Sequence, residues 1–151
     1  SFQHLYAEPF HFVVRREHPL TENQILDVST LKRYEMILPE NSPSDNAHVA
    51  RLLTSIGLTD NISDRIVAMA PGFMRACLLD SDAICVVPEG VFKRELASGE
   101  LVALNIDTSH SSSAVGVIVK TDAPFKPAVE VMTRAFHAVA TGSSNLDRLK
   151  P

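Results

Sequence analysis

Ser42-Pro43-Ser44-Asp45 is the stretch whose residue types and spacing bear most directly on chemistry. Serine at an N-cap, proline at the first helical position and a carboxylate three residues after the cap make a capping box, with Asp a weaker partner than Glu. A helix that starts here presents unpaired N–H groups and the positive end of its dipole, which suits a carboxylate or a phosphate. Asn41 and Ser42 would add side-chain hydrogen bonds to such an anion. The same donors are also met by the Ser42 hydroxyl and by Asp45, so cap and anion compete for them. Other reactive residues lack partners. His11, His18 and His48 have no Asp, Glu or Cys at ligand spacing, so no metal site is expected. Cys77 and Cys85 form neither a CxxC pair nor a zinc spacing and read as two reduced core thiols. Asn61-Ile62-Ser63 matches a glycosylation sequon that we read as incidental. GxSxG, HExxH and P-loop patterns are absent, and scattered Ser, His and Asp residues do not make a triad. Neither catalytic residues nor a cofactor are expected.

Composition narrows the class. The 151 residues are 45% hydrophobic and 21% charged, which suits a globular core and neither a disordered nor a fibrous chain. Eighteen acidic against fourteen basic residues give a net charge of −4, too acidic for an autonomous nucleic-acid-binding surface. No apolar run approaches the roughly 18 residues a membrane span needs, and no basic-then-apolar leader opens the sequence. A cytoplasmic protein without a membrane partner is expected.

The elements that must position these residues follow from periodicity. Residues 10–15 alternate as a half-buried strand that stops at His18-Pro19. Residues 28–34 predict a short helix and 36–38 a short strand. Val49, Leu52, Leu53 and Ile56 give the capped helix its apolar face, and Gly57 closes it. A strand over 62–69, a helix over 71–79, a strand over 83–87 buried on both faces and a helix over 88–98 ending at Gly99 come next. Strands over 101–106 and 115–120 flank a polar connection. The last helix, from about 126 to 142, carries Val129, Met132, Phe136 and Val139 on one face. Residues 143–151 read as a tail. Alternating strands and helices predict an α/β fold with a largely parallel sheet, whose ligands bind at the carboxyl ends of strands. That rule points to residues 39–45 and 69–73.

Four stretches resemble the effector-binding domain of LysR-type transcriptional regulators: EPFHFVVRREHPL from Glu8, VSTLKRYEMILP from Val28, DAICVVPEGVFKRELASGELVAL from Asp82 and VGVIVKTDAPFKPA from Val115. The phrase ELASGELVALNIDTS is most similar to the subgroup regulating protocatechuate catabolism and to regulators of a galactose-binding protein. The resemblance implies a periplasmic-binding-protein type II-like effector domain whose two lobes hold an inducer between them. Residues 1–16 would then be a crossing strand from the first lobe and 17–114 a complete second lobe. Residues 115–142 would be the return strand and final helix of the first lobe, only partly present, with 143–151 as a tail. The resemblance also places the turn Ala70-Pro71-Gly72 and Phe73 at the cleft, where an aromatic can stack on an unsaturated effector; a Phe in an apolar helix is otherwise core.

The expected partners are a small carboxylic-acid effector, further copies of the chain, and DNA through a helix-turn-helix domain absent here; for the parent they include RNA polymerase. One departure from the family pattern stands out. Leu78-Leu79-Asp80-Ser81-Asp82 replaces a Gly-rich turn, which puts in doubt any ligand pose needing close backbone approach there. A solute-binding module of a transport system and a small α/β enzyme are the alternatives in other functional classes.

Overall fold

The computed structural model describes residues 1–22, 26–38, 45–58, 65–68, 70–120 and 127–142. It divides into two compact units, Glu8–Ser113 and a second one made of Ser1–Ala7 with Ala114–Pro151. In the first unit the strands are β1 (Phe2–Arg15, which begins in the other unit), β2 (Met36–Leu38), β3 (Arg65–Val67), β4 (Ile84–Pro88) and β5 (Leu101–Ala103). They lie in the order β3-β2-β4-β1-β5. β2 is parallel to both β3 and β4. β1 is antiparallel to β4 and β5. The expected parallel sheet is thus interrupted by one strand. Parallel strands need a crossover: α1 (Asp45–Ser55) lies between β2 and β3 and α2 (Pro71–Asp80) between β3 and β4, while α3 (Lys93–Ser98) leads from β4 to β5. β1 instead enters the sheet from the other unit and needs none.

Alternation along each strand sorts the core into two layers. Phe10, Phe12, Val14, Met36, Leu38, Ile84 and Val86 pack with Val49, Leu52 and Leu53 of α1. Val13, Ile37, Cys85 and Val87 pack on the opposite face with Met74 and Leu78 of α2 and with Phe92. The doubly buried strand expected at 83–87 is β4. Val13 departs from the half-buried pattern because α2 and the turn carrying Phe92 cover the face on which it lies. Burial pushes the Cys85 thiol up to about 12, and both cysteines are free.

Helix ends follow local chemistry. Gly57 (φ 78°) is left-handed, with Gly57 N–H donating to the Thr54 carbonyl at 3.0 Å and Leu58 N–H to the Leu53 carbonyl at 2.8 Å. These two bonds satisfy carbonyls the helix leaves open. Gly99 ends α3 in the same way, and the Arg16 guanidinium donates to its carbonyl at 2.6 Å. The expected helix over 88–98 is a 3-10 turn, Glu89–Phe92, running into α3. That over 28–34 is a 3-10 turn at Val28–Arg33 whose cap Asp27 accepts from Ser29 N–H. The Ser29 N–H holds the Asp27 carboxyl below its usual range.

In the other unit, β6 (Ser112–Ile118) pairs with β1, and Ser1 and Val119 exchange backbone bonds of 2.8 and 2.9 Å. Gly116 lies so close to Gln3 and Phe2 that a Cβ would collide with both. Helix α4 (Pro127–Ala140) leaves Val129, Met132, Phe136 and Val139 exposed. Among the described residues every buried hydrophobic side chain belongs to the first unit. No helix among them is long and apolar enough to cross a membrane. The segment read as a tail lies outside the described residues.

Cys85→Ser places a hydroxyl in the doubly buried strand, where lack of a partner costs about 1–3 kcal/mol. Urea unfolding is expected to read that loss, and an unchanged midpoint would contradict burial of β4 on both faces.

Candidate functional site

Because β2, β3 and β4 are parallel, their carboxyl ends share one edge of the sheet. Backbone pairing continues there one residue beyond the strands, Ala68 N–H donating to the Leu38 carbonyl at 3.1 Å. From this edge α2 starts at Pro71, with Ala70 as its N-cap. Alanine has no side-chain oxygen, and no side-chain hydrogen bond caps the helix. Ala70, Pro71 and Gly72 are all exposed, and a Cβ at Gly72 would meet nothing within 4 Å. Proline contributes no N–H, so the open donors of this turn are the amides of Gly72 and Phe73. Phe73 is 53% exposed; the reading of it as core is wrong. Its α2 neighbours Met74 and Leu78 take the buried stripe, and position 73 falls on the outward side.

A second turn at the same edge is closed by the protein itself. Gly90 N–H, in the 3-10 turn after β4, donates to the Glu8 carboxylate at 2.9 Å. A Cβ at Gly90 would come within 2.7 Å of Glu8 Oε2, so any larger residue there would have to displace the carboxylate. His11 Nε2 lies 3.7 Å from the Glu89 carboxylate beside it. One carboxylate already fills this turn, while the start of α2 stays open. Arg75, one turn further along α2, is held by Glu100 through its Nε at 3.1 Å and has Glu95 at 3.8 Å. Its charge is committed, and an anion at α2 would be held chiefly by amides and the helix dipole.

At the opposite edge, ahead of β4, Asp82 accepts from Arg15 Nε at 3.0 Å and Nη2 at 2.7 Å. Ser81 Oγ donates to the Cys77 carbonyl at 2.7 Å and accepts from Ala83 N–H at 3.2 Å. The turn that replaces the family's glycines is therefore tied down by its own side chains. It lies at the amino end of β4, away from the start of α2, and so does not bear on a ligand held there.

Of the residues singled out in the sequence, Ala70, Pro71 and Phe73 are brought together in this exposed turn, whereas Asn41 and Ser42 lie outside the described residues. Gly72 joins the turn through its amide. Glu8 and Gly90 were not singled out as a pair, since they lie 82 residues apart. Among the described residues no group of three His, Cys, Asp or Glu side chains could hold a metal.

The family described as LysR substrate binding domain matches residues 1–141. The chain belongs to that family. This LysR domain is 34% identical over 122 residues to the HTH-type transcriptional regulator PcaQ of Agrobacterium fabrum, an alignment covering 81% of this chain and 39% of that protein. The chain thus spans about two fifths of the length of that relative. Among solved structures, the effector binding domain of QuiR in complex with shikimate superposes with a TM-score of 0.72 at 16% identity, over 97% of this chain and 67% of that one. The regulatory domain of Synechocystis CcmR in complex with 2-PG gives 0.69 at 19% identity, over 97% and 68%. These likenesses establish the fold of the LysR domain, a type II periplasmic-binding-protein-like α/β arrangement.

An exposed Phe contributes little to folding. Phe73→Ala is expected to change unfolding free energy by less than about 1 kcal/mol in urea titration; a loss of about 3 kcal/mol or more, typical of a buried Phe, would place it in the core.

Proposed function

We propose that this LysR domain is the inducer-sensing and oligomerising part of a DNA-binding transcriptional regulator and that its effector is a small organic acid. The observation that carries the reading is the uncapped, exposed first turn of α2 at the carboxyl edge of the parallel strands. Its two open amides and the helix dipole suit a carboxylate, and the exposed Phe73 ring beside them suits an unsaturated or aromatic carbon skeleton. Shikimate bound to QuiR and 2-PG bound to CcmR support an organic acid as ligand in this fold. The likeness to PcaQ, together with the resemblance to protocatechuate-catabolism regulators, favours an aromatic-catabolism intermediate such as a carboxylated muconate. Asn41 and Ser42 remain in the proposal on sequence grounds alone, as the residues of the capping-box stretch.

Regulation in this reading is a population shift: effector bound between lobes stabilises one lobe arrangement and alters how oligomerised chains present their DNA-binding domains. The unit Glu8–Ser113 holds the core and serves as the second lobe. The other unit, with the apolar face of α4 exposed, is completed by the remainder of the first lobe in the parent protein. DNA is contacted through a helix-turn-helix domain outside this chain, RNA polymerase is a partner of the parent, and the regulator works in the cytoplasm without enzymatic activity.

Calorimetric titration of the full-length regulator with protocatechuate-pathway acids tests this. Phe73→Ala is expected to weaken the effector by roughly 2- to 10-fold, the equivalent of one aromatic contact. Ser42→Asp, which keeps a good cap but adds a negative charge, is expected to weaken it further. Wild-type affinity in both variants would remove the acid from this edge of the sheet.

A further inference from the structure

The edge of the sheet away from α2's first turn holds a cluster that effector binding does not use: Arg15, His18, Tyr34 and Asp82. The His18 ring is 1% exposed. Its Nε2 lies 3.0 Å from the Asp82 carbonyl oxygen, and its Nδ1 lies 3.1 Å from the Leu20 amide nitrogen. A backbone N–H only donates, so Nδ1 accepts from Leu20, and Nε2 carries the proton and donates it to Asp82. Both bonds are made together only by the neutral Nε2–H ring. A second proton would place a donor on Nδ1 facing the Leu20 N–H, removing one bond and setting two N–H dipoles against each other.

Much hangs on that bond. Leu20 is buried in the layer that also holds Phe12 and Leu31. It belongs to the 3-10 turn Pro19–Glu22, whose Thr21 N–H and Oγ both donate to the His18 carbonyl, at 2.9 and 2.7 Å. We propose that His18 is an acid-sensitive latch, its neutral ring tying the turn Pro19–Glu22 to the loop ahead of β4 and its protonation releasing that turn.

The charged neighbours do not override this chemistry. The bond to the Asp82 carbonyl and the Asp82 carboxylate both favour the protonated ring, and Arg15 opposes it; Arg15 and Asp82 are bonded to each other, which offsets their fields. Tyr34 presents its ring at 4.7 Å, tilted by 53°. On the latch's own segment, Arg16 is turned to the carbonyls of Gly99 and Ser98, and Glu17 is exposed. Burial is the largest influence and holds the imidazole below its ordinary value. The opened turn therefore takes up a proton at higher pH than the closed one. The latch is at full strength above about pH 6.5, the ordinary imidazole value, and weakens as the pH falls from there toward the folded value.

Amide hydrogen exchange of the chain, expressed as protection factors, reads this directly. Those of Leu20 and Thr21 are expected to be constant above pH 7 and to fall by up to about tenfold per pH unit below about 6.5, while those of Cys85 and Val86 hold. His18→Gln, which keeps a donor and an acceptor without a titrating ring, is expected to remove the pH dependence. Flat protection in the wild type, an equal fall in His18→Gln, or a parallel fall at Cys85 and Val86 would overturn the latch. Should His18→Gln not fold, imidazole 15N shifts of the wild type decide. A neutral Nε2–H ring at pH 7 that protonates as Leu20 loses protection supports the latch; an Nδ1–H ring or a charged ring at pH 7 overturns it.

Discussion

β4 has no solvent-facing side. Ile84 and Val86 point into one apolar layer and Cys85 and Val87 into the other, and nearly every other feature follows from the need to cover both. A strand buried on both faces cannot be joined to its parallel neighbours by a tight turn, because the connection must cross a face of the sheet. Each crossing segment is itself apolar on one stripe: Val49, Leu52 and Leu53 of α1 over one layer, Met74 and Leu78 of α2 over the other. Parallel strands then end on a common edge, and the helix that follows begins there with its amides outward. The candidate effector turn is thus a by-product of how β4 is buried.

The two edges of this sheet have acquired different chemistry. At the carboxyl edge one turn is filled by Glu8 on Gly90 N–H, while the start of α2 has no side-chain cap. At the amino edge the backbone is tied by Arg15, His18, Ser81 and Asp82. Glu8, midway along β1, and His18, just past its end, belong to the same motif and make their ties at opposite edges of the sheet. Side-chain ties at the amino edge leave the carboxyl edge as the open one.

Much of this was legible in the residues. Met36–Leu38 is the strand its apolar run predicts, the doubly apolar segment at 83–87 is the buried centre, and Gly57 and Gly99 close helices where their positive φ is needed. What escaped the sequence is what distance along the chain hides. Val13 is buried because α2 and Phe92, some sixty and eighty residues on, cover it; alternation reports one packed face and is silent about a second. The 3-10 turn at Glu89–Phe92 starts against Glu8, a partner no local pattern names. Phe73 reads as core by type, yet two positions of α2 already fill the stripe that faces the sheet, and the ring is left outside. In the sequence His18 is a residue before proline and a histidine without metal-ligand partners; its two ring partners lie two and sixty-four residues away.

An acid effector held on the first turn of α2 perturbs the amides it meets. Backbone 15N and 1H shifts of the isotopically labelled regulator, followed as a protocatechuate-pathway acid is added, test it most directly. The largest saturable changes are expected on the amides of Gly72 and Phe73, with Arg15, Asp82 and Ala83 at the other edge unmoved. Saturable changes centred on Arg15 and Asp82, with Gly72 and Phe73 unmoved, would contradict it.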